Sequence, residues 1–239
     1  MATIYNPNIV TDKLILCLDA ANVKSYSGGG TDWKDLSGEG NDATLVNSPT
    51  YVQNNNGGYF SFDGTDEHAT LPAIDLTGNE ITFSIWTYTQ STSNVSSLIF
   101  LNDDSGDSSG WMGRQLNVHS LPYSSTAFYF DKGFDGSTVD RLSGSFSDAS
   151  EYSGWINWCF TANAATGFMK MYRNGVLFTN TTGKTRTLSN ANGDIRRIAR
   201  TNGSACYEGY ISNLQIYKKE LLEAEVLQNF NAIKGRFEA

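Results

Sequence analysis

Asp103, Asp104 and Asp107 fall within one short stretch, and Asp63 and Asp66 flank Gly64. Hard carboxylate oxygens carried on loops are the ligands that calcium takes. The first cluster does not fit an EF-hand loop, which requires a downstream Glu that this stretch lacks. Asp and Gly are also what turns use, so type and spacing assign no residue as a metal ligand. His68 and His119 are the two histidines, and neither lies beside a nucleophile motif. A Ser/His/Asp relay is therefore unsupported, and both histidines read as polar residues on a sheet face. Cys17, Cys159 and Cys206 form no C-x-x-C pair, and their odd number leaves at least one thiol unpaired within the chain. Cys17 lies in Leu14-Ile15-Leu16-Cys17-Leu18 and Cys159 in Trp158-Cys159-Phe160, surroundings of buried strand where a thiol is a small, inert hydrophobe.

Trp111, Tyr123 and Tyr207 lie in or beside loops, where an exposed ring can stack on the face of a pyranose. A single exposed ring is ordinary, so none of the three is assigned as a sugar contact. Trp86, Trp155 and Trp158 sit in strand-like runs and read as core. Asn94, Asn180 and Asn202 each begin an N-x-S/T triplet, which a Ser/Thr-rich chain produces often.

The elements that must carry these residues follow from composition and period. Among 239 residues, charged types make up 18%, aromatics 13%, and glycines number 23. Few charges with many aromatics, Gly, Ser, Thr and Asn suit short strands and tight turns. The formal net charge of −8 offers no basic stripe to phosphates, which argues against nucleic acid as a partner. No apolar run approaches the ~20 residues of a membrane span, and Met1 to Thr11 shows no secretory signal pattern.

Strands are expected at Lys13–Asp19, Tyr59–Asp63, Glu80–Thr89, Ser97–Leu101, Gln115–His119 and Ala127–Phe130. Further strands are expected at Trp155–Ala162, Phe168–Arg173, Val176–Asn180, Asp194–Arg200 and Tyr210–Tyr217. Ile81, Phe83 and Ile85 alternate with Thr82, Ser84 and Trp86, the period of a half-buried strand. Asn174-Gly175 predicts a tight hairpin. Ser25–Gly40, Asn102–Gly113 and Gly133–Ser153 read as loops, none of them an interdomain linker. At the end of the chain the period changes. Leu222, Val226, Phe230, Ile233 and Phe237 form one stripe of a helix over Glu223–Ile233, flanked by Leu221 and Leu227. That face must pack on something, most simply an end or edge of the sandwich.

Phe62-Asp63-Gly64 and Ile81-Thr82-Phe83-Ser84-Ile85-Trp86 resemble early strands of the laminin-G-like jelly roll. Trp155-Ile156-Asn157-Trp158-Cys159-Phe160, Thr166-Gly167 and Met171-Tyr172-Arg173-Asn174-Gly175 resemble its central hairpin. Gly209-Tyr210-Ile211-Ser212-Asn213-Leu214-Gln215-Ile216-Tyr217, with Leu221 and Glu225, resembles the closing strand and helix. The ordered set covers about Lys13 to Gly235 and implies the concanavalin A-like lectin and glucanase superfamily. The expected fold is thus all-β: a two-sheet antiparallel jelly-roll sandwich with a short C-terminal helix near 222–234. Residues 13–239 form a single domain and 1–12 an N-terminal segment, a docking arm on another protein.

The opening narrows the resemblance. Leu16-Cys17-Leu18-Asp19-Ala20-Ala21-Asn22, then Trp33-Lys34-Asp35-Leu36-Ser37-Gly38 and Gly40-Asn41, are similar to LamG-like proteins of tailed bacteriophages. The closing Leu227-Gln228-Asn229-Phe230-Asn231-Ala232 is similar to the same group. This resemblance implies a virion surface protein, a head decoration or tail-associated (tail fibre) module, with capsid or tail proteins as partners. Host surface glycan as an outward ligand, homo-oligomerisation and a structural calcium are compatible with it. Nucleic acid and membrane insertion are not expected.

Glycosidases of the superfamily carry Glu-x-Asp-x-x-Glu or a shortened form, with the two working carboxylates about 5–5.5 Å apart in retaining enzymes. None of Glu39, Glu67, Glu80, Glu151, Glu208, Glu220, Glu223, Glu225 and Glu238 begins that motif. No catalysis is expected, and a glycan-cleaving enzyme of the glucanase type is the alternative. One departure from the family pattern stands out. Ser usually caps the last helix where this chain has Leu222, so half of the reciprocal capping box is lost. The helix then either starts a residue early or gains packing from Leu222.

Overall fold

The computed structural model describes residues 8–54, 57–91, 95–103, 113–134, 137–201 and 203–237. Asn94, Asp104, Asp107, Trp111 and Asn202 lie outside these residues, as do 1–7 of the expected arm. In chain order the first strands are β1 (Leu14–Asp19), β2 (Asp32–Trp33), β3 (Ala43–Val46), β4 (Thr50–Asn54), β5 (Gly57–Asp63), β6 (His68–Thr70) and β7 (Glu80–Thr89). Then come β8 (Ser97–Asn102), β9 (Arg114–His119), β10 (Ala127–Lys132), β11 (Asp140–Ser145) and β12 (Trp155–Asn163). The last are β13 (Phe168–Arg173), β14 (Val176–Thr181), β15 (Arg196–Ile198), β16 (Glu208–Tyr217) and the helix α1 (Glu223–Ile233).

The first sheet runs β14-β13-β12-β7-β16-β5-β4, with β1 also paired to β16. The second runs β11-β10-β9-β8-β15-β6-β3-β2. All the ladders are antiparallel. Because side chains alternate across a strand, each sheet turns one row inward and one outward. Inward rows such as Phe60 and Phe62, Ile81, Phe83 and Ile85, and Trp158 and Phe160 meet Leu116 and Val118, Phe128 and Phe130, and Leu142 in one continuous core. The two-sheet jelly roll with a short C-terminal α-helix is as expected.

The hairpin at Asn174-Gly175 forms with both residues at positive φ, 51° and 79°, the turn that matches strand twist. Here Gly175 has a second reason to lack a side chain: a Cβ would press on Leu227 and Phe230 of α1 at 3.0 and 3.2 Å. Two expected loops contain strands. β2 lies inside Ser25–Gly40, and β11 lies inside Gly133–Ser153. β11 carries Gly144 because the Phe128 ring of β10 covers that position and leaves no room for a Cβ. β3 and β4 were not expected either, being short strands specified by their partners rather than by their own pattern, whereas β6 carries His68 on a sheet as expected. Asp194–Arg200 contracts to the three residues of β15.

The opening motif proves to be an anchor. Asp35 accepts hydrogen bonds from the Cys17 and Ser37 amides at 2.8 and 2.9 Å. Its other oxygen accepts from the Ser37 hydroxyl at 2.6 Å and the Asn41 amide at 3.1 Å. Asn41 in turn donates to the Ile15 carbonyl at 2.7 Å, so residues 35–41 are fixed on β1. Trp33 is fully buried against Phe60, ring centroids 4.8 Å apart.

The helix packs on the outer face of the first sheet, not on an end or edge. Val226 and Leu221 meet Cys17, Cys159, Tyr172 and Tyr217 in a second apolar cluster. Burial pushes the Cys17 thiol up to about 12 and the Cys159 thiol further still, so both stay protonated. All three cysteines are free and buried, as the inert reading requires. Asn229, also buried, accepts from the Val10 amide at 2.8 Å and donates to the Tyr217 hydroxyl at 2.9 Å. Gln228 donates to the Asn8 carbonyl at 2.7 Å, so residues 8–10 of the expected arm lie on the domain.

Of the helical stripe, Val226 and Ile233 are buried and Phe230 half-buried, but Leu222 is 68% exposed. Leu222 therefore adds no packing, and the helix does not start early. Glu225 still accepts from the Leu222 amide at 2.8 Å, which preserves half of the capping box. Leu222→Ser restores the other half without uncovering apolar surface. The expected gain is about 1 kcal/mol, read as a rise of roughly 2–4 °C in the thermal midpoint; an unchanged midpoint would contradict it. No described helix is long and apolar enough to cross a membrane.

Candidate functional site

The outward row of the first sheet is aromatic where the helix leaves it uncovered. Trp155 of β12 lies opposite Tyr88 of β7, and Tyr88 lies opposite Tyr210 of β16. Tyr59 of β5 joins them from the next strand, its ring 4.8 Å from Tyr210 and 5.4 Å from Trp155. Trp155 stands 6.0 Å from Tyr88 and 4.7 Å from Phe237, just beyond the helix. Phe237 stacks on Trp86 at 4.2 Å, and Trp86 on Phe230 at 5.6 Å. The sequence pairs bulky rings on neighbouring strands, and cross-strand aromatic pairs hold one another in place.

The cluster is amphipathic. Tyr59, Tyr88, Trp155, Tyr210 and Phe237 are all half-buried, so part of each ring meets solvent. Gln90, exposed, donates to the Tyr210 hydroxyl at 2.7 Å. Burial and the nearby Tyr210 raise the Tyr59 phenol above its ordinary value, so it remains a neutral donor and acceptor. An apolar floor rimmed by phenol and amide groups suits a ligand with an apolar face and hydroxyl edges.

This corrects the reading of Trp155 as core. Trp155 and Trp158 are three residues apart in one strand, so alternation sends them to opposite faces. Trp158 is in the core; Trp155 faces out. Trp86 is buried as expected, but under α1 rather than between the sheets. Tyr207 lies in the loop before β16, as expected, but its ring is not exposed: it is enclosed in the core, its hydroxyl 3.2 Å from that of Thr89. Asn180 is exposed on β14.

The second sheet carries a polar outward row. Asn117, Asp131 and Arg141 lie opposite one another on β9, β10 and β11. Arg141 grips Asp131 through two hydrogen bonds of 2.5 and 2.7 Å, and Arg114 lies 3.5 Å away. His119 Nε2 faces the Asn117 amide at 3.0 Å and Asp131 at 3.5 Å, and its ring packs edge-on against Tyr123 and Tyr129. The structure thus brings together a histidine and an aspartate that the sequence left apart. They do not make a nucleophile relay: among the described residues, His119 Nδ1 and the Ser97 hydroxyl on the neighbouring strand each lack a hydrogen-bond partner. Asn117, His119 and Asp131 are also buried.

Burial lowers the His119 pKa, partly offset by Asp131, whereas Arg141 and His119 hold Asp131 down to about 2 against the cost of its own burial. Both shifts have the same consequence. Below the ordinary histidine value of 6.5 the unfolded chain binds a proton that folded His119 refuses. Below 3.8 the unfolded chain binds one that Asp131 refuses until about pH 2. Stability therefore falls as pH drops from about 6.5, and falls again between about 4 and 2. Chemical denaturation from pH 7.5 to 3 checks this against His119→Gln, whose profile is expected to be flatter above pH 5.

His68 is buried on β6, its Nδ1 2.8 Å from the Asp66 carbonyl, and desolvation lowers its pKa. Asp103 and Asp63 of the two acidic stretches are both engaged within the protein. Asp103 accepts from Gln115 at 2.7 Å and Ser189 at 2.9 Å, while Asp63 accepts from the Thr65 amide at 2.8 Å within its own turn. Among the described residues no three His, Cys, Asp or Glu side chains converge as metal ligands.

Two stacked antiparallel sheets with a helix on one outer face define the jelly-roll class. Residues 63–227 match the laminin G model described as the concanavalin A-like lectin/glucanases superfamily, and the chain belongs to that family. No curated protein matches the sequence. Among solved structures, the binding domain of botulinum neurotoxin DC in complex with SialylT superposes with TM-score 0.68 at 15% identity, covering 93% of this chain and 52% of that one. The serotype D ligand binding domain in complex with N-acetylneuraminic acid gives 0.67 at 13%, covering 92% and 51%. The binding domain of Paraclostridial Mosquitocidal Protein 1 gives 0.66 at 15%, covering 93% and 52%. At these identities the likeness is one of fold, and the chain spans about half the length of each.

Proposed function

We propose that this chain is a non-catalytic glycan-binding module displayed on the surface of a bacteriophage virion. The half-exposed aromatic cluster of Tyr59, Tyr88, Trp155 and Tyr210 carries the reading. It offers rings for the CH faces of a sugar and hydroxyls for its edges, in a fold shared with toxin binding domains solved in complex with SialylT and with N-acetylneuraminic acid. The opening and closing motifs, similar to those of phage LamG-like proteins, support the virion. Head decoration and tail attachment both require docking on another virion protein.

The carboxylates support a binding role over cleavage. Asp131 is held ionised by Arg141 and so is a poor proton donor to a leaving group. Glu80 accepts from Asn163 and the Glu220 amide, and Glu220 pairs with Lys170, all of them structural ties. Incubation with host surface polysaccharide is expected to give retention without release of reducing ends. Reducing ends abolished by one carboxylate substitution would establish the glucanase alternative. Mass spectrometry and immunogold labelling of purified virions are expected to find the chain on head or tail; its absence from particles would overturn the virion role. Deleting residues 1–7, which spares the Val10–Asn229 contact, is expected to abolish incorporation while leaving the domain folded. Unchanged incorporation would move docking elsewhere on the domain.

A further inference from the structure

Resting on that glycan reading, we infer that the ligand of the aromatic cluster is an uncharged glycan, not a sialylated or uronic one. The five side chains that form it, Tyr59, Tyr88, Trp155, Tyr210 and Phe237, bring no charge, and Gln90 at the rim brings none. Recognition of a sugar carboxylate normally relies on a cation, most often the paired nitrogens of an arginine. The arginine beside Phe237 cannot serve. Arg236 is clamped on Asp19, its Nη1 2.7 and 2.8 Å from the two carboxylate oxygens. Asp19 is buried, so releasing Arg236 would leave an uncompensated charge inside the protein.

The opposite border is acidic. Glu208, two residues before Tyr210, lies opposite Asp63 on β5, and Asp66 and Glu67 follow in the turn. A strand presents residues two apart on the same face, so Glu208 shares the face of the cluster. An anionic sugar seated on Tyr210 would meet those carboxylates, and the net charge of −8 would oppose its approach. A neutral pyranose chain meets neither obstacle. Its CH face covers Trp155, and its hydroxyls exchange hydrogen bonds with phenols that can both donate and accept.

The test uses the full chain on an array of paired glycans that differ only in a terminal sialic or uronic acid, at low and high salt. Expected are retention of neutral members, little change with salt, and a loss of more than about tenfold in Trp155→Ala. Tyr88→Ala, with folding checked by thermal melting, guards against a variant that fails to fold. Trp155-dependent binding that prefers the acidic members and weakens with salt would overturn this inference and leave the glycan reading intact. Retention of no glycan would overturn both.

Discussion

Asp140→Ala is expected to cost about 3–5 kcal/mol, the loss that follows when one member of a buried ionic group is removed. Asp140 is 2% exposed and accepts from Lys132 Nζ at 3.3 Å, Arg186 Nη1 at 2.8 Å and the Arg186 amide at 2.8 Å. Lys132 is fully buried, and burial already lowers its pKa despite Asp140; among the described residues its remaining hydrogen bond is to the Arg186 carbonyl. Without Asp140 the ammonium is left with a single carbonyl. Against a typical total of about 5–15 kcal/mol, the thermal midpoint should fall by roughly 6–20 °C. Lys132→Met is expected to behave differently. Methionine fills the same space without a charge, and Asp140 keeps both bonds from Arg186, so the change should stay within about 1 kcal/mol. Thermal melts of the two variants check the asymmetry, and equal damage would contradict it.

The largest functional effect is expected from Trp155→Ala. Its ring touches Tyr59, Tyr88, Tyr210 and Phe237, so its loss removes the centre of the platform and frees its neighbours. Central aromatic anchors contribute 2 kcal/mol or more to binding, about a 30-fold loss of affinity. Stability should suffer much less than in Trp158→Ala, because Trp155 is half-buried and Trp158 only 1% exposed. Calorimetric titration with a host oligosaccharide, beside a melting curve, separates the two effects. Affinity retained in Trp155→Ala would place the sugar elsewhere.

Long strands with their own alternation were legible: Glu80–Thr89 and Phe168–Arg173 have the bounds their patterns imply, and so has the helix Glu223–Ile233. β2, β3 and β11 were not, because two to six residues held by partners leave little local signal. Gly144 even argues against a strand until the Phe128 ring above it is known. For the site, half the information was present. The alternation that puts Ile81, Phe83 and Ile85 inward also puts Trp86 and Tyr88 outward, and the spacing of Trp155 and Trp158 separates their faces. What alternation lacks is register. That Trp155, Tyr88 and Tyr210 become neighbours depends on three strands far apart in the chain pairing in one alignment. The meeting of His119 and Asp131 likewise rests on the pairing of β9 with β10.

Nuclear magnetic resonance of the tryptophan indole protons tests glycan binding at the aromatic cluster most directly. The chain has five tryptophans, of which Trp33, Trp86 and Trp158 are buried and Trp155 is half-exposed. On titration with a neutral host-surface oligosaccharide, the Trp155 signal is expected to move in proportion to occupancy while those of Trp33 and Trp158 stay fixed. A bound oligosaccharide that leaves Trp155 unmoved, or shifts only resonances around His119 and Tyr123 on the other sheet, would contradict the account.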